Sequence, residues 1–403
     1  MVDMSAAFDV VDTDILLQKL KLYGFDQNAI QWTWSYLTYR SQGVYIDGNM
    51  SKLLALEAGV PQGSILGPLY YTIFTNELPQ VVHEQECPHY SDPSSSIFTI
   101  QCHECGGVCC YADDSTYTVR GKDPEQLSET LSKKYKVMAD FLTDNKLKVN
   151  DEKTHLLVMT TRQKRRFVDT SIVQIETPSA TISPSSVERL LGAQVHQDMR
   201  LVEHVIDSDD SLVKSLNVRQ GALKKLGRVA SFKTRKTIAS GIFMSKLIYL
   251  MPLWAGCEEH LVKALQVVQN KAARYVARLT IFTPTKTLMR VCGWMSIRQL
   301  MAYHSLVLFH KTKENQSPVY LFEKITAGGK FPYNTRKAAT CPPGFSFEVR
   351  HPTASGAVRL GEGAKLELSK QGWCLRSAEL YNTLPADLRL EKKLKNFKKR
   401  LKD

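Results

Sequence analysis

Two consecutive aspartates, Asp113-Asp114, interrupt a stretch from Tyr111 to Val119 that otherwise alternates like β-strand. Neighbouring residues of a strand point to opposite faces, so a continuous strand could not offer both carboxylates to one place. The stretch therefore reads as two strands flanking a tight acidic turn, which carries at least one aspartate outward. Residues 3–9 read as a strand running into a turn, and a strand-end Asp3 can bring a further carboxylate from a neighbouring strand. Two or three aspartates held rigidly on a sheet suit magnesium, which takes oxygen ligands and keeps several waters. Carboxylates that bridge two such ions, about 3.5–4 Å apart, serve nucleotidyl and phosphoryl transfer.

The 403 residues are too many for one ordinary core, so two or three domains are expected. With 43% hydrophobic and 23% charged residues the composition is that of a globular protein. The start, Met1-Val2-Asp3-Met4, lacks a basic segment followed by an apolar run, so the chain reads as not secreted and intracellular, in nucleus or cytoplasm. Residues 238–257 are the most membrane-like stretch, but Ser245 and Lys246 interrupt it, and it reads as a buried helix rather than a span. Nine cysteines without a secretory context point to thiols or metal ligands. Charge is uneven: residues 1–100 hold 4 Lys/Arg against 11 Asp/Glu, whereas the whole chain is +13. The acidic start fits a cation site, and the basic remainder fits a surface that follows phosphates, with affinity falling steeply in salt.

Helices are expected to begin at Ile15 after Asp12 and Asp14, and to cover 28–37, 69–78 and 124–147. In the last of these Leu127, Leu131, Tyr135, Met138 and Leu142 recur at helical spacing. A hairpin turn is expected at 44–49, a Gly/Pro-punctuated loop at 59–68, and strands at 156–159 and 190–195. From about Leu212 the pattern turns helical and basic, with Lys224, Lys225, Arg228, Lys233, Arg235 and Lys236 ahead of Ile238, and a helix over 261–279. Residues 325–363, rich in Gly, Pro, Thr and Ser, read as irregular. Leu390, Leu394, Phe397 and Leu401 mark a terminal helix with Lys and Arg between them, which could lie on nucleic acid or dock on the body.

Three motifs occur in order: Asp3-Met4-Ser5-Ala6-Ala7-Phe8-Asp9; Gly59-Val60-Pro61-Gln62-Gly63-Ser64-Ile65-Leu66-Gly67-Pro68; and Tyr111-Ala112-Asp113-Asp114. In this order they resemble the reverse transcriptases of non-LTR retrotransposons, and Val11-Asp12 with Ile15-Leu16 resembles the jockey-type branch. The likeness continues through 145–150 with Lys153-Thr154, through Leu190-Leu191-Gly192, and to Tyr381-Asn382-Thr383-Leu384-Pro385. It implies an α+β fold. A polymerase palm, mainly antiparallel sheet with packed helices, would span 1–200; a helical nucleic-acid-binding thumb would span 201–300; and a helical C-terminal region would span 301–403. It implies an RNA-directed DNA polymerase that uses two Mg2+ ions and dNTPs to extend a DNA 3′-OH on an RNA template. By that resemblance Asp3, Asp113 and Asp114 would be the magnesium ligands and catalytic carboxylates. Lys153 would protonate the pyrophosphate leaving group. Phe8 would exclude a 2′-hydroxyl, Gln62 and Gly63 would lie against nucleotide and template, and Tyr111 would complete the substrate-binding set. Leu191 and Gly192 would grip the primer. The family's fingers segment has no counterpart ahead of Asp3 in this sequence, so the expectation is an N-terminally truncated element with fingers largely absent. Its alternative reading is a catalytically inactive nucleic-acid-binding remnant.

Residues 81–110 form a Cys- and His-rich insert, with Cys87, His89, Cys102, Cys105, Cys109 and Cys110 inside it. Cys102 and Cys105 stand at zinc-ligand spacing. Cys87, His89, Cys102 and Cys105 could hold a structural Zn2+, with Cys109 able to replace His89; a loop with incidental thiols is the alternative. Metal analysis of the purified chain should find about one zinc per molecule if the site exists. A strongly substoichiometric value would remove it.

Overall fold

The computed structural model describes residues 1–84, 99–102, 106–226, 230–318, 321–322, 377 and 380–402. These form two compact units, Met1–Leu191 and Gly192–Asp403.

The first unit opens with β1 (Asp3–Met4) and a turn. Helix α1 (Thr13–Leu22) follows, its first turn closed by the Asp12 carboxylate accepting from the Ile15 N–H at 3.0 Å. Asp26 caps α2 (Gln27–Leu37) in the same way, through the Ala29 N–H at 2.7 Å. The hairpin expected at 44–49 is the tip of a longer ribbon. Strands β2 (Arg40–Gln42) and β5 (Leu54–Leu56) pair antiparallel outside β3 (Tyr45–Ile46) and β4 (Asn49–Met50). The helix expected at 69–78 is instead two, α3 (Leu66–Phe74) and α4 (Leu78–Glu84). They separate where the Thr75 hydroxyl donates back to the Tyr71 carbonyl at 3.1 Å, a competing side-chain bond of the kind that weakens helix continuation.

Strands β6 (Thr99–Cys102), β7 (Gly106–Tyr111) and β8 (Asp114–Val119) form a three-stranded antiparallel sheet. Part of the segment expected as an insert is therefore sheet. Cys87, His89, Cys105 and the side chain of Cys102 lie outside the described residues. Helix α5 (Pro124–Asp144) starts on Asp123 and Pro124, and it buries Leu131, Tyr135, Met138 and Leu142, the stripe expected from its spacing. Strand β9 (Val149–Asn150) pairs antiparallel with β1. Strands β10 (Leu156–Leu157) and β13 (Pro184–Ser185) pair in parallel, and β11 (Ile175–Glu176) and β12 (Thr181–Ile182) antiparallel. A short α6 (Arg162–Arg165) lies between β10 and β11. One core joins Val2, Met4, Leu16, Leu20, Tyr71, Phe74, Val108, Tyr135, Met138 and Leu142, all nearly solvent-free. The element set is thus mixed helix and strand, as expected for an α+β chain, with short strand pairs rather than one wide sheet.

The strand expected at 190–195 is broken. Strand β14 (Val187–Leu190) ends before Leu191 and Gly192, which both take positive φ (47° and 80°), and β15 (Ala193–His196) follows. Glycine meets no steric penalty there, whereas leucine does.

In the second unit, helices α7 (Leu212–Leu226), α8 (Phe232–Ala239) and α11 (Glu259–Ala277) surround a core that includes Leu216, Phe243, Trp254 and Leu265. Residues 238–257 are buried as expected in part, but they are not one helix. The register widens at Ser240–Met244, α9 (Ser245–Ile248) stops, Leu250 takes φ 54°, and α10 (Met251–Trp254) restarts with Pro252 in its first turn. Proline cannot continue a helix interior but suits a first turn, so Pro252 explains the restart. Among the described residues no helix is long and apolar enough to cross a membrane. Helices α12 (Thr285–Cys292) and α13 (Ile297–Asn315) follow, α13 opened by a Ser296–Gln299 capping box. The chain ends with α14 (Ala386–Arg389) and α15 (Leu394–Arg400). Phe397 of α15 is fully buried and stacks on His310 of α13, ring centroids 3.8 Å apart and 3° from parallel. The terminal helix therefore docks on the body.

Gly106 sits at φ 116° where an added Cβ would fall 1.9 Å from the Thr118 carbonyl oxygen, and Gly221 in α7 has open space around it. Gly106→Ala should destabilise the protein by roughly 2–4 kcal/mol, and Gly221→Ala should stabilise it by about 0.5 kcal/mol. Denaturant midpoints of the two variants check both signs.

Candidate active site

The site is assembled from short strands. Val2 and Ser115 exchange both backbone hydrogen bonds, Val2 N–H to Ser115 O at 2.7 Å and Ser115 N–H to Val2 O at 3.2 Å, in an antiparallel bridge. In that register Asp3 falls opposite Asp114. On its other side β1 is held to β9 and by the Ser5 N–H donating to Lys148 O at 3.0 Å. Tyr111 pairs with Asp114, so Ala112 and Asp113 form a two-residue hairpin turn with Ala112 at φ 52°. The acidic turn expected from the sequence is present, with Asp113 on its tip.

Asp3, Asp114 and Lys153 line a cavity of about 240 Å3, together with Ser115, His155, Arg189 and Leu190. The Lys153 ammonium lies 3.9 Å from Asp3 Oδ2 and is largely exposed. Its short 3-10 turn is fixed by Asn150, whose side-chain oxygen accepts from the Lys153 N–H at 3.3 Å. Partial desolvation, then the charges of Asp113 and Asp3, push the Asp114 carboxyl above its ordinary pKa. The charge of Asp113 also reaches beneath the turn. Burial, then Asp113 and Cys110, push the Tyr71 hydroxyl far up. A larger cavity, about 700 Å3 beside α5 and residues 172–178, contains none of these carboxylates. The acidic cluster, not cavity size, marks the site.

Phe8 is half-buried and stacks on Tyr71 at 4.5 Å, and the Tyr71 hydroxyl meets the Met4 sulfur at 3.2 Å. The loop expected at 59–68 ends where α3 begins at Leu66, and its Gly59 end is tied to the turn that follows β1. Gly59 N–H donates to Val11 O and Val60 N–H to Phe8 O, each at 2.8 Å. At Gly59 (φ +87°) an added Cβ would fall 2.6 Å from the Asp9 carbonyl oxygen, so only glycine permits this approach. The Arg40 guanidinium donates to the Ala58 and Gly59 carbonyls from the ribbon side. Gln62 Nε2 donates to Asp9 Oδ1 at 2.9 Å, and Gly63 (φ +81°) has open space around it. Tyr111 is 65% exposed beside the turn. Leu191 lies at the end of the first unit and Gly192 at the start of the second, where Gly192 faces the Tyr249 ring.

Three residues with clear parts in this geometry were not singled out from the sequence. Asp9 was legible, since it closes the first motif and only its partner was hidden. Tyr71 and Arg40 carried no local signal, because their roles depend on distant segments packing against them.

Among the described residues, no three His, Cys, Asp or Glu side chains converge closely enough to hold a metal ion. The donor chemistry nevertheless fits a hard divalent cation. All three site groups are carboxylates, and Asp114, pushed up by partial desolvation and then by the charges of Asp113 and Asp3, stands where a cation would offset like charge.

Residues 1–194 match the family model described as reverse transcriptase (RNA-dependent DNA polymerase). Those residues belong to the reverse transcriptase family. The carboxylates, the Gly59–Gly67 loop and Lys153 all fall inside this reverse transcriptase domain. Two relatives from Drosophila melanogaster match over longer stretches. A probable RNA-directed DNA polymerase from transposon BS is 23% identical over 75% of this chain and 31% of the relative. A probable RNA-directed DNA polymerase from transposon X-element is 24% identical over 64% of this chain and 26% of the relative. The RNA-directed DNA polymerase from mobile element jockey of Drosophila funebris is 42% identical over 19% of this chain and 8% of the relative. The jockey-type resemblance of the motifs is borne out, and the chain spans under a third of the length of these relatives.

Because its folded state holds Asp114 partly desolvated and among like charges, ionising it costs stability as pH rises above the ordinary carboxylate range. Asp114→Asn should therefore raise the denaturation midpoint of metal-free protein near pH 7. The gain is small, since Asp114 is exposed and screened, and it should vanish in acid, where the wild-type carboxyl is itself protonated. A midpoint that falls at pH 7 would mean that the neighbours stabilise Asp114.

Proposed function

We propose that the chain carries the palm and thumb of an RNA-directed DNA polymerase of a retrotransposon, extending a DNA 3′-OH on an RNA template. The observation that carries this reading is the strand register that sets Asp3 opposite Asp114, with Asp113 on the adjoining turn, within the reverse transcriptase domain. Asp3 and Asp113 would be the principal ligands of two Mg2+ ions, with Asp114 the second aspartate of the turn. Bound there, the metals would acidify the attacking hydroxyl and neutralise the triphosphate.

This chain's own residues supply the rest. Lys153, on a turn fixed by Asn150 and beside Asp3, would donate a proton to the departing pyrophosphate. Phe8, held flat against Tyr71, would stand under the sugar and reject a 2′-hydroxyl by contact, which favours dNTPs. Gln62 has its amide nitrogen committed to Asp9, so its oxygen is left to face nucleotide or template beside Gly63. Tyr111 would flank the substrate, and Leu191 and Gly192 would grip the primer. The basic helices of residues 201–300 would form the thumb and follow the phosphates of the RNA–DNA hybrid. Cys87, His89, Cys102 and Cys105 would hold a structural Zn2+, with Cys102 and Cys105 at zinc-ligand spacing.

Two measurements test the reading. In the longest open frame that includes this chain, Asp113→Ala should cut Mg2+-dependent extension of a primed RNA template by at least roughly 100-fold, the scale of losing a preorganised electrostatic group. In the chain itself, Asp113→Ala should weaken Mn2+ binding, followed by water relaxation. Unchanged extension would overturn the catalytic assignment, and unchanged Mn2+ binding would overturn the ligand assignment.

A further inference from the structure

The terminal helix α15 has a polar face that the polymerase reading does not use. Phe397 is fully buried against Phe309, His310 and Tyr381, and Leu401 packs on the same cluster. The segment leading into the helix is pinned as well. The Tyr381 hydroxyl donates to the Arg389 carbonyl at 2.9 Å, and Lys313 Nζ donates to it at 3.2 Å. At 3.6 residues per turn, Lys395 and Lys399 fall on the side opposite Phe397. Both are exposed, as are Lys392 and Lys393 at the helix entry. Among the described residues, none of these four ammonium groups has a carboxylate within ion-pair distance. The nearby acids are engaged otherwise, Asp387 with Arg400 and Glu391 with the Lys393 backbone N–H.

We propose that this lysine face is a second nucleic-acid-binding surface, one that tracks the phosphates of a single strand without reading its sequence. Exposed Lys395 and Lys399, one helical turn apart, repel each other with Lys392 and Lys393 at the helix entry adding to the charge, and a row of phosphates relieves that repulsion by releasing the strand's counterions. Docking of the helix fixes the charges before binding, so less ordering cost falls on association than for a loose tail. The apolar side excludes the other common target of a basic helix. A membrane-surface helix needs an apolar face free to enter lipid, but Phe397 and Leu401 are turned into the protein, and among the described residues 386–402 the one exposed large hydrophobic is Leu390, ahead of the helix. The surface goes beyond the polymerase reading and does not depend on the carboxylate site.

The test uses the full chain and a fluorescent single-stranded RNA oligonucleotide titrated at several salt concentrations. The triple variant K392Q/K395Q/K399Q should bind roughly tenfold more weakly at low salt. The slope of log affinity against log salt should fall by about 2, near 0.7 for each phosphate that is no longer neutralised. K392R/K395R/K399R should keep the wild-type slope. K122Q/K136Q/K164Q removes the same charge from exposed positions of the first unit and should leave the slope unchanged. An unaltered slope in the first variant, or an equal loss in the charge-matched control, would overturn the proposal. So would loss of binding to phosphatidylserine vesicles with RNA binding retained.

Discussion

The pair of backbone hydrogen bonds between Val2 and Ser115 is the contact on which the site depends. It sets the register between β1 and β8, and register decides which face a side chain occupies. A slip of one residue would turn Asp3 away from Asp114 and leave the carboxylates on opposite sides of the sheet. The register is held from several directions. Ser5 bonds to Lys148 on the far side of β1, Val2 and Met4 are buried in the core, and Tyr71 places its hydroxyl on the Met4 sulfur. Gly106 keeps β7 tight against β8, where any Cβ would strike the Thr118 carbonyl.

That arrangement runs against stability. Like charges placed opposite one another on neighbouring strands destabilise a sheet, and the charges of Asp113 and Asp3 add to desolvation in pushing the Asp114 carboxyl up. An ordinary surface would disperse such a cluster. Here the loop–turn hydrogen bonds, the Arg40 anchor and the Phe8–Tyr71 stack surround it with rigid structure. A preorganised site that binds cations or phosphates gains from that rigidity, since little is left to reorganise when the ligand arrives.

The second unit solves a different problem, how to keep a strongly basic chain folded. Its core is apolar and its cations lie outside, with Arg235 an exception: the side chain is buried and donates to the Val276 and Ala230 carbonyls. Near the end of the chain an aromatic cluster of Phe309, His310, Tyr381 and Phe397 serves as a small core, and it converts a lysine-rich segment into an oriented face.

Local signals are legible in the sequence where the cause is local. Asp12, Asp26 and Asp123 cap the helices that the sequence led one to expect, and the Leu131–Leu142 stripe lies buried along α5. Pro252 is equally visible, yet residues 238–257 read as one helix in sequence because a long apolar run outweighs a single proline. The sequence alone determined the reverse transcriptase domain, the acidic hairpin and the order of the three motifs, since turn chemistry and strand alternation are properties of neighbouring residues. Only the tertiary structure decided that Asp3 stands opposite Asp114, that Gln62 is held by Asp9, and that the terminal helix docks through Phe397 with its lysines outward. Those facts depend on contacts between residues 53 or more positions apart, which no local pattern encodes.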